Sequence, residues 1–342
     1  MNIELKYMKR ALQLAECGRF GASPNPMVGA VIVTPEGTIA GEGYHRRCGS
    51  AHAEVNAVAD LRGRYGSDAD QVLRQCTMYV TLEPCAHYGK TPPCAKLLID
   101  CGIPRVIVGT ADPFAKVSGR GIAMMRNAGI EVVTGIMENE CRELNRRFFT
   151  AHILHRPWVT IKWAQSSDGF IDCLRDGDGL PARFSRPSGS ALVHRLRALH
   201  DGIAAGSGTF IADKPRLDCR LWPGGNAPVR IALDRRHRLP ADSADMIADA
   251  TDIMSALTEM YTSGLTSVLI EGGRGILQAV IDSGLWDEAR VETAPFDLGE
   301  RGSTTAPTLE AIPHSVEYID GNTIRNYRNN WLDLSDLGVK NL

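Results

Sequence analysis

His52-Ala53-Glu54, Thr81-Leu82-Glu83-Pro84-Cys85 and Cys94, the last closing the run His87-Tyr88-Gly89-Lys90-Thr91-Pro92-Pro93, decide how this chain is read. One imidazole and two thiols supply three zinc ligands and leave the fourth tetrahedral position open, whereas a structural zinc is normally closed by four protein side chains. An open position implies chemistry. Glu54 lies two residues past His52, within reach of a water at that position without being a ligand, where a deaminase needs its proton shuttle. His52, Cys85 and Cys94 are therefore the expected Zn2+ ligands and Glu54 the expected catalytic group. The competing readings are cysteines buried as small hydrophobes and a structural zinc closed by His45 or Cys48. The spacing argues against both: eight residues separate the two cysteines, wider than the C-x-x-C of the general deaminase signature.

Working outward, Pro24-Asn25-Pro26-Met27-Val28-Gly29 lies upstream, and Gly41-Glu42-Gly43-Tyr44-His45 precedes the His-Ala-Glu. Together with the Pro-Cys and the long His-x-Gly-Lys-Thr-Pro-Pro-Cys loop, this pattern resembles the bacterial bifunctional riboflavin-biosynthesis deaminase-reductases, over nearly the whole chain. The resemblance implies an α/β protein. A cytidine-deaminase-like three-layer α/β/α domain would occupy residues 1–147, a linker residues 148–157, and a dihydrofolate-reductase-like α/β domain residues 158–342. It also implies two successive reactions: zinc-dependent hydrolytic deamination of 2,5-diamino-6-ribosylamino-4(3H)-pyrimidinone 5′-phosphate, then NADPH-dependent reduction of the ribosyl to a ribityl side chain.

The bulk properties agree. A length of 342 residues suits two domains. Lys and Arg number 38 against 40 Asp and Glu, a net charge of −2 with no extended basic run, so the footprint of a nucleic-acid binder is missing. Nine irregularly spaced cysteines argue against a disulfide framework and for a reducing compartment. No apolar run reaches the length of a membrane span, and the N-terminus has no signal pattern. The expected setting is cytoplasmic. The expected partners are a small pyrimidine ribose phosphate and further copies of the chain, as a dimer or tetramer.

Periodicity predicts a surface helix over residues 3–17, with Leu5, Met8, Leu12 and Ala15 on one stripe and Gly18 as its stop. Residues 30–33 and 38–41 read as a hairpin around Pro35-Glu36-Gly37. Helices over 52–61, 94–101 and 118–128 alternate with strands over 77–82, 105–109 and 130–133, an order that gives a three-layer sandwich. Asn25, an amide between two prolines, suits reading a base edge, or is an ordinary turn residue. His45 and His87 are each open to three roles: fourth ligand, substrate contact or satisfied polar group. By resemblance, Asn25, His45, His87, Lys90 and Asp112 meet the substrate.

In the second half, Phe148-Phe149 and His155-Arg156-Pro157 mark a boundary. Residues 162–169 resemble the opening of the family's reductase half, and residues 172–187 read as a loop. Gly206-Ser207-Gly208-Thr209-Phe210-Ile211-Ala212-Asp213 continues to Arg220 along the family's pattern. Ile211 stands where a third glycine would be, so a Rossmann fingerprint is excluded. Glu271-Gly272-Gly273-Arg274-Gly275 follows a strand, where small residues let backbone N–H groups approach a phosphate; a plain tight turn is the alternative. By resemblance, Thr209, Asp213, Gly272, Gly273 and Gly275 hold NADPH, with Asp213 also assisting the reduction. Arg197, Leu217, Arg220 and Glu271 would hold the ribose phosphate or pyrimidine, guanidinium forks matching phosphate geometry. Two departures stand out: Arg183-Phe184-Ser185 where the family commonly has Trp-Ile-Thr/Ser, and Gln165 in place of a small residue. They admit a second domain that only binds. A nucleic-acid deaminase would need a basic face, and a nucleoside deaminase would leave residues 157 onward without a task.

Overall fold

The computed structural model describes residues 3–87, 92–113, 119–175, 179 and 181–329. The chain divides into two compact units between Ile153 and Leu154. The first runs α1 (Ile3–Glu16), β1 (Gly29–Val33), β2 (Ile39–Tyr44), α2 (Ala53–Tyr65), α3 (Ala69–Leu73), β3 (Thr77–Leu82), α4 (Cys94–Asp100), β4 (Arg105–Thr110), α5 (Arg120–Asn127), β5 (Glu131–Thr134), α6 (Glu138–Leu144) and α7 (Arg146–Leu154). Its strands form one sheet in the order β2-β1-β3-β4-β5. β1 is antiparallel to β2 and β3, and β3, β4 and β5 are parallel.

Strand side chains alternate between faces, and both faces here are apolar. Val31, Val33, Tyr79 and Ile107 lie under Tyr7, Met8 and Ala11 of α1 and Cys141 of α6. Ala30, Ile32, Met78, Val80 and Val106 lie under α2, α4 and α5 through Val58, Leu61, Leu98 and Met125. The result is the sandwich expected from the element order. Helix α2 lies unusually close to β2: a Cβ on Gly43 would stand 2.4 Å from both Ala53 O and Ala57 N. Only glycine permits that approach, and it is α2 that carries Glu54.

One expectation needs correction. The segment 148–157 does not begin as a linker, because α7 runs through it to Leu154, with Phe149, Thr150 and Ala151 buried. Phe149 faces the Arg142 guanidinium at 5.8 Å, so the aromatic pair read as a boundary is packing in a helix.

The second unit runs β6 (Trp158–Gln165), β7 (Phe170–Cys173), α8 (Pro187–Ala198), β8 (Gly202–Gly206), α9 (Ser207–Asp213), β9 (Val229–Leu233), β10 (Met246–Ala248), α10 (Ile253–Thr262), β11 (Ser267–Glu271), α11 (Arg274–Asp282), β12 (Glu288–Thr293), β13 (Gly302–Thr305), β14 (Ser315–Ile319) and β15 (Asn322–Arg328). Its eight-stranded sheet has the order β10-β9-β8-β11-β6-β12-β15-β14, and β13 pairs with β7. The sheet is parallel from β10 through β12 and antiparallel in the last hairpin. Chain order reverses between β8 and β11, so their carboxyl ends diverge into a crevice, the usual ligand position of an open α/β sheet.

The sheet's start is fixed by a fully buried ion pair. Arg156 donates to both Asp287 oxygens at 2.7 and 2.8 Å, and Asp287 also accepts the Val159 N–H at 2.7 Å. Burial pushes the Asp287 carboxyl up, against the pull of Arg156. Truncating one partner of such a pair strands the other charge in the core, typically at about 3–5 kcal/mol. Arg156→Met is therefore expected to lower the urea midpoint of this unit. Tryptophan fluorescence reads it alone, since all five tryptophans follow Leu154 in sequence; an unchanged midpoint would contradict the role of the pair.

Candidate active sites

The first unit gathers the motif residues at the carboxyl ends of β3 and β4. His52, extended at φ −71° and ψ 166°, is the residue before α2 rather than inside its first turn. Its Nδ1 lies 3.3 Å from Cys94 Sγ and 3.7 Å from Cys85 Sγ. A tetrahedral ion with Zn–N of about 2.0 Å and Zn–S of about 2.3 Å separates nitrogen from sulfur by about 3.5 Å, so the three atoms fit zinc. The electrostatics fit as well. Cys85 is held below the ordinary thiol range by its hydrogen bond with Cys94 and by His52, whereas Cys94 is pushed up by Cys85 and by burial. Two sulfurs sharing a proton call for a cation before both can be thiolates. Neither His45 nor Cys48 joins them: among the described residues the metal-competent cluster is His52, Cys85 and Cys94.

Glu54 is 3% exposed and lines the same cavity, of about 310 Å³. Burial, opposed by His52, pushes its carboxyl up to about 7. Asn25, His45, His87 and Asp112 line this cavity too; Lys90 lies outside the described residues. Both ring nitrogens of His45 are engaged. Its Nδ1 sits 3.2 Å from Ala51 O and its Nε2 3.1 Å from Asn25 Nδ2. The neutral Nδ1–H tautomer satisfies both, and burial lowers the ring's pKa accordingly. His45 thus orients the Asn25 amide, whose oxygen and second N–H remain for a base edge.

Three residues lining the first unit's cavity escaped the sequence reading. Glu83, buried, accepts N–H groups from Asp112 (3.3 Å), Gly119 (2.9 Å), Gly121 (2.9 Å) and Ile122 (3.2 Å). It ties the ligand turn to the end of β4 and the start of α5, which approaches so closely that a Cβ on Gly121 would stand 2.0 Å from Pro84 O. An acid directly before the Pro-Cys was the available signal. Phe148 and His152, edge to face at 4.4 Å, line the cavity from α7; they had fallen in the supposed linker.

In the second unit, Thr209, Asp213, Gly272, Gly273 and Gly275 line one cavity of about 430 Å³ between the turns after β8 and β11. Asp213 is not free there, since Arg175 donates to it at 2.6 Å. A carboxylate held by a guanidinium serves as an acceptor that orients, not as a proton donor. Arg197 and Glu271 are brought together, but onto each other, at 2.7 and 3.1 Å, and Arg197 also donates to Asp218 O. Burial would raise Glu271, yet Arg197 outweighs it and holds the carboxyl low. Arg220 pairs with the Asp218 carboxylate. The Leu217 side chain packs with Ile203, Ala205 and Phe210. Lys162, missed in sequence, is buried opposite Glu271 in register; a lysine between Ile161 and Trp163 in an apolar strand was its signal. Arg183 is exposed, whereas Phe184 and Gln165 are packed. Phe184 stacks on Phe296 at 5.9 Å and Ser185 donates to buried Glu292 at 2.7 Å, while Gln165 accepts from Trp163 Nε1 at 2.7 Å.

Comparison with known proteins gives a consistent picture. The family model for the cytidine and deoxycytidylate deaminase zinc-binding region matches residues 1–110, and that for the RibD C-terminal domain matches residues 157–327. The riboflavin biosynthesis protein RibD of Aquifex aeolicus (strain VF5) is 36% identical over 345 residues, spanning 92% of this chain and 94% of the relative. RibD of Escherichia coli (strain K12) is 33% identical over 355 residues, spanning 91% and 94%. Acinetobacter baumannii RibD matches with a TM-score of 0.84 at 30% identity, over 95% of this chain and 98% of that one. A Thermotoga maritima protein described as a diaminohydroxyphosphoribosylaminopyrimidine deaminase/5-amino-6-(5-phosphoribosylamino)uracil reductase matches at 0.79 and 31%, with the same coverage. From the ligand geometry, Cys85→Ser is expected to lose bound zinc in a metal analysis of the purified chain; full zinc content would mean the ligand set is wrong.

Proposed function

The chain belongs to the RibD family of riboflavin biosynthesis proteins, and from that premise we propose that its first unit deaminates 2,5-diamino-6-ribosylamino-4(3H)-pyrimidinone 5′-phosphate and its second reduces the deaminated product. The observation that carries the reading is one cavity lined by His52 and Cys85, which with Cys94 behind them form the metal-competent cluster, and by the buried Glu54 carboxyl and the Asn25 amide. Zinc, when bound by the three ligands, lowers the pKa of a water toward neutrality.

Glu54 takes the proton of the attacking water at its carboxylate and returns it to the departing ammonia. Its burial keeps that carboxyl from bulk water, so a proton held there goes to the substrate. Asn25, oriented by His45, hydrogen-bonds the pyrimidine edge. His87 and Asp112 flank the ribose phosphate, and Lys90 is assigned to the same task by its place in the motif. Glu83 fixes the height of Cys85 and the loop bearing Asp112.

In the second unit the cofactor is NADPH, which supplies hydride to the ribose C1′ and makes ribosyl into ribityl. Thr209 and the turn at Gly272, Gly273 and Gly275 hold its phosphates, the glycines allowing close backbone approach. Asp213 orients it. The Arg197 and Glu271 pair, with Arg220 and buried Lys162, forms the polar side of the substrate pocket.

Glu54→Ala is expected to keep zinc and lose roughly 10²-fold or more of deamination, the usual scale of general acid-base catalysis; unchanged turnover with metal bound would remove Glu54 from its role. For the second unit, the decisive measurement is NADPH oxidation with the deaminated intermediate, followed by absorbance. Consumption that depends on this substrate is expected, and its absence would leave a deaminase with a binding module.

A further inference from the structure

The stretch after β7, which carried no assigned chemistry in sequence, supplies a residue to the second cavity. Among the described lining residues the cavity has one cation, Arg175, and two acids, Asp172 and Asp213. Arg175 Nη1 donates to Asp213 Oδ1 at 2.6 Å and Nη2 to Asp172 Oδ2 at 2.7 Å. The acids come from different elements, β7 and the last residue of α9, so Arg175 bridges two walls. Asp172 is itself fixed: its Oδ1 accepts the N–H groups of Cys173 (3.0 Å) and Ala182 (3.2 Å). These three side chains are each about a quarter exposed (24%, 24% and 25%), so water screens their charges only partly.

A nicotinamide dinucleotide carries a negatively charged pyrophosphate. Two uncompensated carboxylates in its cavity would repel it, whereas the bridging guanidinium brings the local charge from −2 to −1. We infer that Arg175 sets the affinity of this cavity for the dinucleotide by cancelling charge on Asp172 and Asp213, a role that rests on the nicotinamide reading of the same cavity. Arg175 is a positioning residue here: it acts through the two acids.

The test is the dissociation constant of NADPH for the full zinc-loaded chain, measured by fluorescence titration without turnover. Arg175→Gln is expected to weaken binding at least about tenfold, the scale of breaking a desolvated charge pair. The gap should narrow as ionic strength rises from about 0.05 to about 0.5 M, because screening weakens the repulsion. Arg175→Gln with Asp172→Asn should regain most of the loss, since asparagine keeps an Oδ1 acceptor for Cys173 and Ala182. Asp172→Asn alone should bind more tightly than wild type, which keeps the inference testable if Arg175→Gln does not fold. An Arg175→Gln affinity equal to wild type, a loss insensitive to salt, no recovery in the double variant, or weaker binding by Asp172→Asn would each overturn it. If the wild type itself binds no NADPH, the nicotinamide reading falls first; if it binds and the variants do not differ, only the role of Arg175 falls.

Discussion

Backbone N–H groups at the ends of strands and helices must find acceptors, and in both units carboxylates supply them. In the first unit Glu83 collects four such groups from the turn after β4 and the start of α5. In the second, Asp201 accepts from Thr266 and Ser267 at 2.8 and 3.0 Å, and Asp234 from Arg238 and Leu239 at 2.6 and 2.8 Å. Glu83 and Asp201 join segments distant in sequence, and Asp234 closes the turn that follows β9. Cys85 of the metal-competent cluster inherits this rigidity, because it follows Glu83 by two residues.

A second regularity is that the sites separate groups that hold from groups that face the ligand. His45 has both ring nitrogens engaged, and through one of them it aims Asn25. Arg197 and Glu271 engage each other in the same way. A buried charge or polar group without such a partner costs several kcal/mol at about the scale of its desolvation. Residues next to a cavity therefore come in satisfied pairs, and the free valence of the pair is what a substrate meets.

The two departures from the family pattern illustrate how packing absorbs sequence change. Phe184, standing where the family has isoleucine, stacks on Phe296, and Ser185, which keeps the family's hydroxyl, reaches Glu292, which Asn322 also holds at 2.6 Å. Gln165 is larger than the residue it replaces, but its amide oxygen meets the indole N–H of Trp163. The polar atom that Gln165 introduces therefore has a partner inside the strand.

The sequence by itself determined the element order of the first unit, the grouping of His52, Cys85 and Cys94 and the two-part organisation, because periodicity, turn residues and the His, Glu and Cys spacing are local properties of the chain. It misplaced Phe148 and His152, since two aromatic residues before His-Arg-Pro look alike whether they end a domain or pack a helix within it. Which side chains answer one another was decided only by the tertiary structure. The four backbone groups on Glu83, the Asn25 and His45 contact, the pairing of Arg197 with Glu271 and the bridge from Arg175 to Asp213 join residues between 20 and 74 positions apart. Hydrogen bonds and ion pairs act over a few ångströms of space, and no local pattern in a chain records which distant segments folding will bring within that reach.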